Sequence, residues 1–337
     1  MHSLATLADI LPLVFLALMG LCMLIYVILD GYDLGVGILL RRATLAEKDQ
    51  MIASIGPFWD ANETWLVLGV GILLTAFPQA HGIILGELYL PVSAMLGFLI
   101  LRGVAFDFRA KVAIEQKHFW NKSFYVGSLG TTFCQGVMLA EYITGFSHSV
   151  AITFFSIFVG LSLVSGYCLL GATWLIFRAQ GELQLKAAHW AKVYLVWTLL
   201  GLVAISLVTP LVNDRIFHRW FSLPNLFWLA PIPALTVLCL ILAWRALSTT
   251  ALDGTLKKPW APFALTVILF VLSFFGLAFS IVPFVIVDRM TAWEAAAAPE
   301  ALEVIALGAA VVLPAILAYT AYVYWLFRGK VVELSYY

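Results

Sequence analysis

Charge is what this sequence has least of. Only 11% of its 337 residues are Asp, Glu, Lys or Arg, while 63% are apolar. A soluble domain carries about 25% charged residues. Mean hydropathy is +1.00, and long apolar runs recur from end to end, so a polytopic helical membrane protein is expected. Excess charge of one sign is also missing. The 19 basic and 19 acidic residues cancel, and no basic stripe suggests a nucleic-acid partner. Cysteine is sparse. Cys22, Cys134, Cys168 and Cys239 all lie in apolar stretches and form no CxxC, which excludes a disulfide framework and leaves them as small core hydrophobes.

Other absences bear on chemistry. A haem held between helices needs axial ligands, usually histidine, at membrane depth. His2, His81, His118, His148, His189 and His218 each fall in a terminal or loop segment of the predicted map. No metal-spacing cluster, phosphate loop, dinucleotide fingerprint or Ser-His-Asp arrangement can be argued. Any redox groups of the functional unit are therefore expected on another chain. The N-terminus lacks a basic region, carries Asp9 and enters an apolar run too long for a cleavable leader, so the first helix is expected to be retained.

What is present is a series of apolar runs. A spanning helix needs about 20 largely apolar residues. Nine segments qualify: 10–41, 57–78, 82–109, 122–145, 150–178, 187–211, 224–247, 262–288 and 303–328. Pro224, Pro231 and Pro233 crowd the start of the seventh, where a first turn tolerates them. Basic residues divide unevenly between the two sides. Fifteen of the 19 lie at the ends of helices 1, 3, 5, 7 and 9 or in the loops that follow, from Arg41 to Lys330. Positive charge stays inside, which predicts an outside N-terminus, a cytoplasmic C-terminus and one membrane domain over 1–337.

Against that background the intramembrane charges stand out. Asp30 precedes Arg42 by 12 residues, or ~18 Å of helix, which puts it inside the inner half of the bilayer. Asp33 lies one turn nearer the cytoplasm on the same face. A charged Asp at helix centre costs about 2.5–3.5 kcal/mol. Two readings fit: a carboxyl satisfied by a neighbouring helix, or a proton-accessible site reached from the cytoplasm. Gly31 and Gly35 have the GxxxG spacing of close helix packing.

At 56–66, "GPFWDANETWL" puts Pro57 at a first helical position, with Asp60 and Glu63 in the first two turns. A helix dipole favours acids there without any further role. Asn62, Trp59 and Trp65 fit an interfacial helix start. Four acids near anionic headgroups nevertheless point to a protein-lined, wet path. Arg102 lies about 10 Å inside the Arg109 end by helical rise. It could snorkel to the surface or pair with Asp30, Asp33, Asp60 or a partner's carboxylate.

At "DGYDLGVGILL" (30–40) and "FWDANETWLVLGVG" (58–71) the sequence resembles subunit II of the bd-type quinol oxidases. Further matching stretches are "LRGVAFDFR" (101–109), "GATWLIFRAQGEL" (171–183), "IVPFVIV" (281–287) and "LPAILAYTAYVYWLFRGKV" (313–331). The modest length and short loops look like the cyanide-insensitive branch. The resemblance implies an all-α polytopic protein of nine transmembrane helices, as two four-helix bundles plus one peripheral helix, in the bacterial inner membrane. It implies a heterodimer with subunit I, which carries haems b and d and the quinol site, while this chain carries no haem. A small single-helix accessory subunit and a structural quinone or lipid are also compatible with the family. The complex would oxidise quinol, reduce O2 to water and draw protons from the cytoplasm. By motif position Asp30 and Asp60 line the proton route, with Asp33 and Glu63 beside them. Trp65 and Arg102 match positions bordering a lateral O2 path. Several relatives carry Gln where this chain has Glu63, so the route here holds an additional carboxylate. A stand-alone secondary transporter is the other reading of intramembrane carboxylates, though no internal repeat supports it.

Overall fold

The computed structural model describes residues 7–249 and 257–331. His2 therefore lies outside the described residues. In chain order the helices are α1 Leu7–Leu39, α2 Leu45–Ile55, α3 Trp59–Ala76, α4 Pro78–Glu87, α5 Tyr89–Lys111, α6 Ile114–Ile143 and α7 Val150–Arg178. They continue as α8 Gly181–Val212, α9 Asp214–Phe221, α10 Asn225–Leu229, α11 Pro231–Ser248 and α12 Ala261–Ile281. Strands β1 Phe284–Ile286 and β2 Met290–Thr291 follow, then α13 Ala292–Ala295 and α14 Pro299–Leu326.

Nine of the described helices reach 18 residues: α1, α3, α5, α6, α7, α8, α11, α12 and α14. Each overlaps one of the nine predicted segments. Seven candidate spans are both long and apolar enough to cross a membrane; α3 and α6 are the long helices left out. Asp60, Asn62 and Glu63 dilute α3, and α6 opens on Glu115, Gln116, Lys117 and His118.

The map needs correction at several points. The predicted third helix, 82–109, is two helices, α4 and α5, that meet at Leu88. Pro91 is the physical reason: it has no N–H to give the Glu87 carbonyl, and its ring crowds that carbonyl. The predicted eighth helix, 262–288, ends at Ile281. Pro283 cannot extend it, and the chain turns into an antiparallel hairpin that pairs Phe284 with Thr291 and Ile286 with Met290. This hairpin also qualifies the all-α expectation. Pro57 lies in a turn, and α3 starts at Trp59 with Phe58 as its cap. Finally, α2 was not expected. Its signal is in the sequence as "TLAE" at 44–47: the Thr44 hydroxyl accepts from the Glu47 N–H, and the Glu47 carboxylate accepts from the Thr44 N–H. That reciprocal cap starts a helix.

Helix α1 is the hub. It packs on α3, α6 and α7 and also touches α12 and α14. Around it, α5 packs on α6, α6 on α7, α7 on α8 and α12, and α11 on α8 and α12. Its two halves serve different cores. Leu11, Phe15, Cys22 and Tyr26 join Trp65, Phe77 and Val285 in one cluster; Tyr32 to Leu40 join Met51, Phe58, Tyr167 and Trp174 in the other. The hub is possible because Gly35 lets α7 in. A Cβ on Gly35 would lie 1.8 Å from the Tyr167 carbonyl oxygen, and one on Gly171 would lie 2.4 Å from the Val36 nitrogen. The GxxxG spacing thus marks a real crossing, with its complement on α7. All four cysteines are buried and free.

Candidate functional site: a buried carboxylate and arginine cluster

Where α1, α3 and α5 approach one another, the intramembrane charges are collected. Asp30 and Asp33 project from α1, Asn62 and Glu63 from α3, and Arg102 from α5. The α1 helix does not break at Asp30-Gly31, so Asp30 and Asp33 share a face, one turn apart. Both are completely buried, as is Arg102. Snorkelling is thus excluded for Arg102. Its Nη2 lies 3.0 Å from Asp30 Oδ1, and its Nη1 donates to Glu63 Oε1. The Asp30 contact is an ion pair whose angles fall outside hydrogen-bond alignment.

Aromatic rings complete the arginine's surroundings. The guanidinium carbon lies 5.5 Å from the Trp59 ring centroid and 5.8 Å from that of Phe124. Both are within cation–π range. Close packing of α6 holds α5 here: a Cβ on Gly127 would come within 2.8 Å of the Phe98 carbonyl oxygen and 2.9 Å of the Arg102 nitrogen. Glu63 is the cluster's outlet, with 27% of its side chain exposed. Asp60, one turn earlier, is exposed and stands outside the buried cluster. Trp65 packs in the other core, 1% exposed, and its indole N–H finds no acceptor among the described residues.

Asp33 belongs to a second, neutral-partner network. Asn62 Nδ2 donates to Asp33 Oδ2 at 2.7 Å and to the Tyr32 hydroxyl at 3.1 Å. The Tyr324 hydroxyl of α14 donates to Asn62 Oδ1 at 3.2 Å and lies 2.5 Å from the Tyr32 hydroxyl. Asn62 is 1% exposed, so the interfacial reading of Asn62 and Trp65 is corrected: both are interior, and Asn62 is the centre of a network. A third branch leads outward along α1. Tyr26, one turn before Asp30, accepts from Gln135 Nε2 at 2.6 Å, and Tyr167 donates to Gln135 Oε1 at 2.8 Å. None of Tyr26, Gln135, Tyr167 or Tyr324 was singled out from the sequence. Tyr324 could not have been, since it meets Tyr32 across 292 positions.

Away from the cluster, Glu87 pairs with Arg289 at 3.3 Å and with His148 at 3.4 Å. On the basic side Glu47 accepts from Lys186 Nζ at 2.6 Å. That ammonium, with the Thr44 N–H, holds the Glu47 carboxyl below its usual range. Among the described residues no group of three or more His, Cys, Asp or Glu is placed to hold a metal ion.

The family model described as "Cytochrome bd terminal oxidase subunit II" matches residues 11–327. The chain belongs to this family. Cytochrome bd-I ubiquinol oxidase subunit 2 of Escherichia coli (strain K12) is 25% identical over 373 aligned residues, covering 96% of each chain. Cytochrome bd ubiquinol oxidase subunit 2 of Bacillus subtilis (strain 168) is 28% identical over 322, covering 90% of this chain and 91% of that one. A chain of the bd oxidase structure from Geobacillus thermodenitrificans shares the fold, with a TM-score of 0.77 and 16% identity. The match covers 94% of this chain and 98% of that one. As a subunit II, the protein is one chain of a bd-type oxidase and a multi-pass bacterial membrane protein.

Proposed function

We propose that the chain is the haem-free subunit of a bd-type quinol oxidase and offers cytoplasmic protons a way toward a haem-bearing subunit I. On this reading the complex oxidises quinol and reduces O2 to water, and haems b and d reside in subunit I. The observation that carries the proposal is the position of Arg102, in contact with buried Asp30 and with partly exposed Glu63. A carboxylate sheltered by protein from lipid can serve as a proton site rather than only a cost. Protons would enter at exposed Asp60 and Glu63, and Asp30 and Asp33 would hold them inside. One guanidinium faces three carboxyls, so the cluster has places for protons.

The same reading gives the chain nine membrane-spanning helices as one domain over 1–337. They form two four-helix bundles, α1, α3, α5, α6 and α7, α8, α11, α12, with α14 peripheral. The N-terminus lies outside and the C-terminus in the cytoplasm. Subunit I, a small single-helix accessory chain, and a structural quinone or lipid are its partners. Trp65 would border an O2 path. The cyanide-insensitive branch is the proposed subgroup, tested by oxygen uptake under rising cyanide. Family membership favours the oxidase over a stand-alone transporter.

The test is Asp30→Asn and Asp60→Asn in the assembled complex. Each should lower oxidase turnover while haem absorption is kept. Full turnover with full haem content in both variants would remove the proton route. Loss of haem together with activity would assign these residues to assembly instead.

A further inference from the structure

Where α1 ends, two arginines face a cavity that contains no acid. Ile38, Arg41 and Arg42, Tyr125 of α6 and Tyr194 of α8 line a space of about 270 Å³. The Arg41 guanidinium stands 5.9 Å from the Tyr125 ring centroid and that of Arg42 stands 5.3 Å from Tyr194. Both distances are within cation–π range, and a guanidinium held by a ring keeps N–H groups with which to bond a ligand. None of the ion pairs among the described residues includes Arg41 or Arg42. The acids nearest in sequence are committed elsewhere: Glu47 to Lys186, and Asp49 to Arg109 at 2.6 Å and Lys117 at 3.4 Å.

The cavity also sits at a boundary. On α6 and α8, Lys122 and Lys192 lie toward the basic end from the two tyrosines, within a turn. On the other side of those tyrosines the surface is apolar, with Val126 and, one turn on from Tyr194, Trp197 exposed. Cations above and apolar side chains below match the level of the phospholipid headgroup. Two adjacent guanidinium forks suit the oxygens of a phosphate, which they can bind in pairs.

We propose that this cavity binds the phosphate of an anionic phospholipid, whose acyl chains run along Val126 and Trp197. The site does not depend on the proton route. It joins α1, α6 and α8, so a bound lipid ties together helices that the sequence separates widely.

The experiment uses the intact purified complex, stripped of lipid by detergent washing. Phosphatidylglycerol, phosphatidylcholine or inorganic phosphate is then added, and retained ligand is counted by native mass spectrometry. Phosphatidylglycerol should bind the unaltered complex and raise its unfolding temperature. Arg41→Gln with Arg42→Gln should weaken that binding at least about tenfold, the loss of one charged hydrogen bond. Lys257→Gln with Lys258→Gln removes the same charge elsewhere on the same side and should bind as the unaltered protein does. If the double variant fails to assemble, as haem absorption reports, Arg41→Gln alone serves and should show the same direction. Equal phosphatidylglycerol binding by the unaltered complex and the arginine variant overturns the proposal. So does protection by inorganic phosphate without the lipid, which would make the ligand a free ion.

Discussion

Arg102 is the residue on which the buried cluster turns. It is the cation shared by Asp30 and Glu63, with no water-exposed surface of its own. Removing one member of a buried pair leaves the other charge desolvated, which costs about 3–5 kcal/mol. Arg102→Gln should therefore lower the thermal stability of the complex by an amount of that order, and by more than Asp60→Asn, because Asp60 is exposed. A differential scanning measurement on both purified variants checks the ranking. If the Arg102 variant is as stable as the unaltered complex, the pair carries no structural weight. Asn62 makes the complementary case. It bonds Asp33, Tyr32 and Tyr324 with both ends of its amide, and it looked interfacial only because it stands three residues into a helix between two tryptophans. A single amide in a motif does not reveal its partners; those come from helices α1 and α14, which the sequence leaves far apart.

At the scale of elements, close approach and capping decide what forms. The α1–α7 crossing depends on Gly35, where a Cβ would meet the Tyr167 carbonyl oxygen at 1.8 Å. Gly35→Ala should push the two helices apart and reduce the yield of assembled complex. Gly71→Ala, on α3 with nothing within 4 Å of its Cβ, should leave the yield unchanged. Quantifying haem per milligram of membrane protein separates the two. Helix α2 depends on its cap and on the Glu47–Lys186 contact. Thr44→Ala removes the N-cap acceptor and should cost about 1 kcal/mol, seen as faster amide exchange over 45–55. Acid acts on the same element. Glu47 has a folded-state pKa below its unfolded value because Lys186 and the Thr44 N–H favour its charged form. Its contribution is thus complete above the unfolded value, about 4.3. It is lost as pH falls through the lower folded value, so α2 protection should drop in that acid window and stay level between pH 6 and 8.

For the whole molecule the question is which side faces where. The unequal distribution of basic residues predicts that the α11–α12 loop is cytoplasmic and the α6–α7 loop external. Ser147→Cys, in the second loop, should react with a membrane-impermeant maleimide in intact cells. Lys257→Cys, in the first, should react only after permeabilisation. The four native cysteines are buried, so background labelling should be low. The opposite pattern would invert the topology and move the Arg41 and Arg42 cavity to the outer leaflet.

The amino-acid sequence alone determined the class of this protein, its family and the approximate places of its long helices, because apolar length, basic ends and local motifs are written in consecutive residues. It also brought forward Asp30, Asp33, Glu63 and Arg102, because a charge is conspicuous in hydrocarbon. What it left open were the breaks made by Pro91 and Pro283, the choice of partner for Arg102, and the meeting of Tyr324 with Tyr32 and Asn62. Those follow from side chains brought together by packing on α1. Separation along the chain says nothing about distance in space, so only the tertiary structure decided which charges are paired and which, like Asp60, remain at the surface.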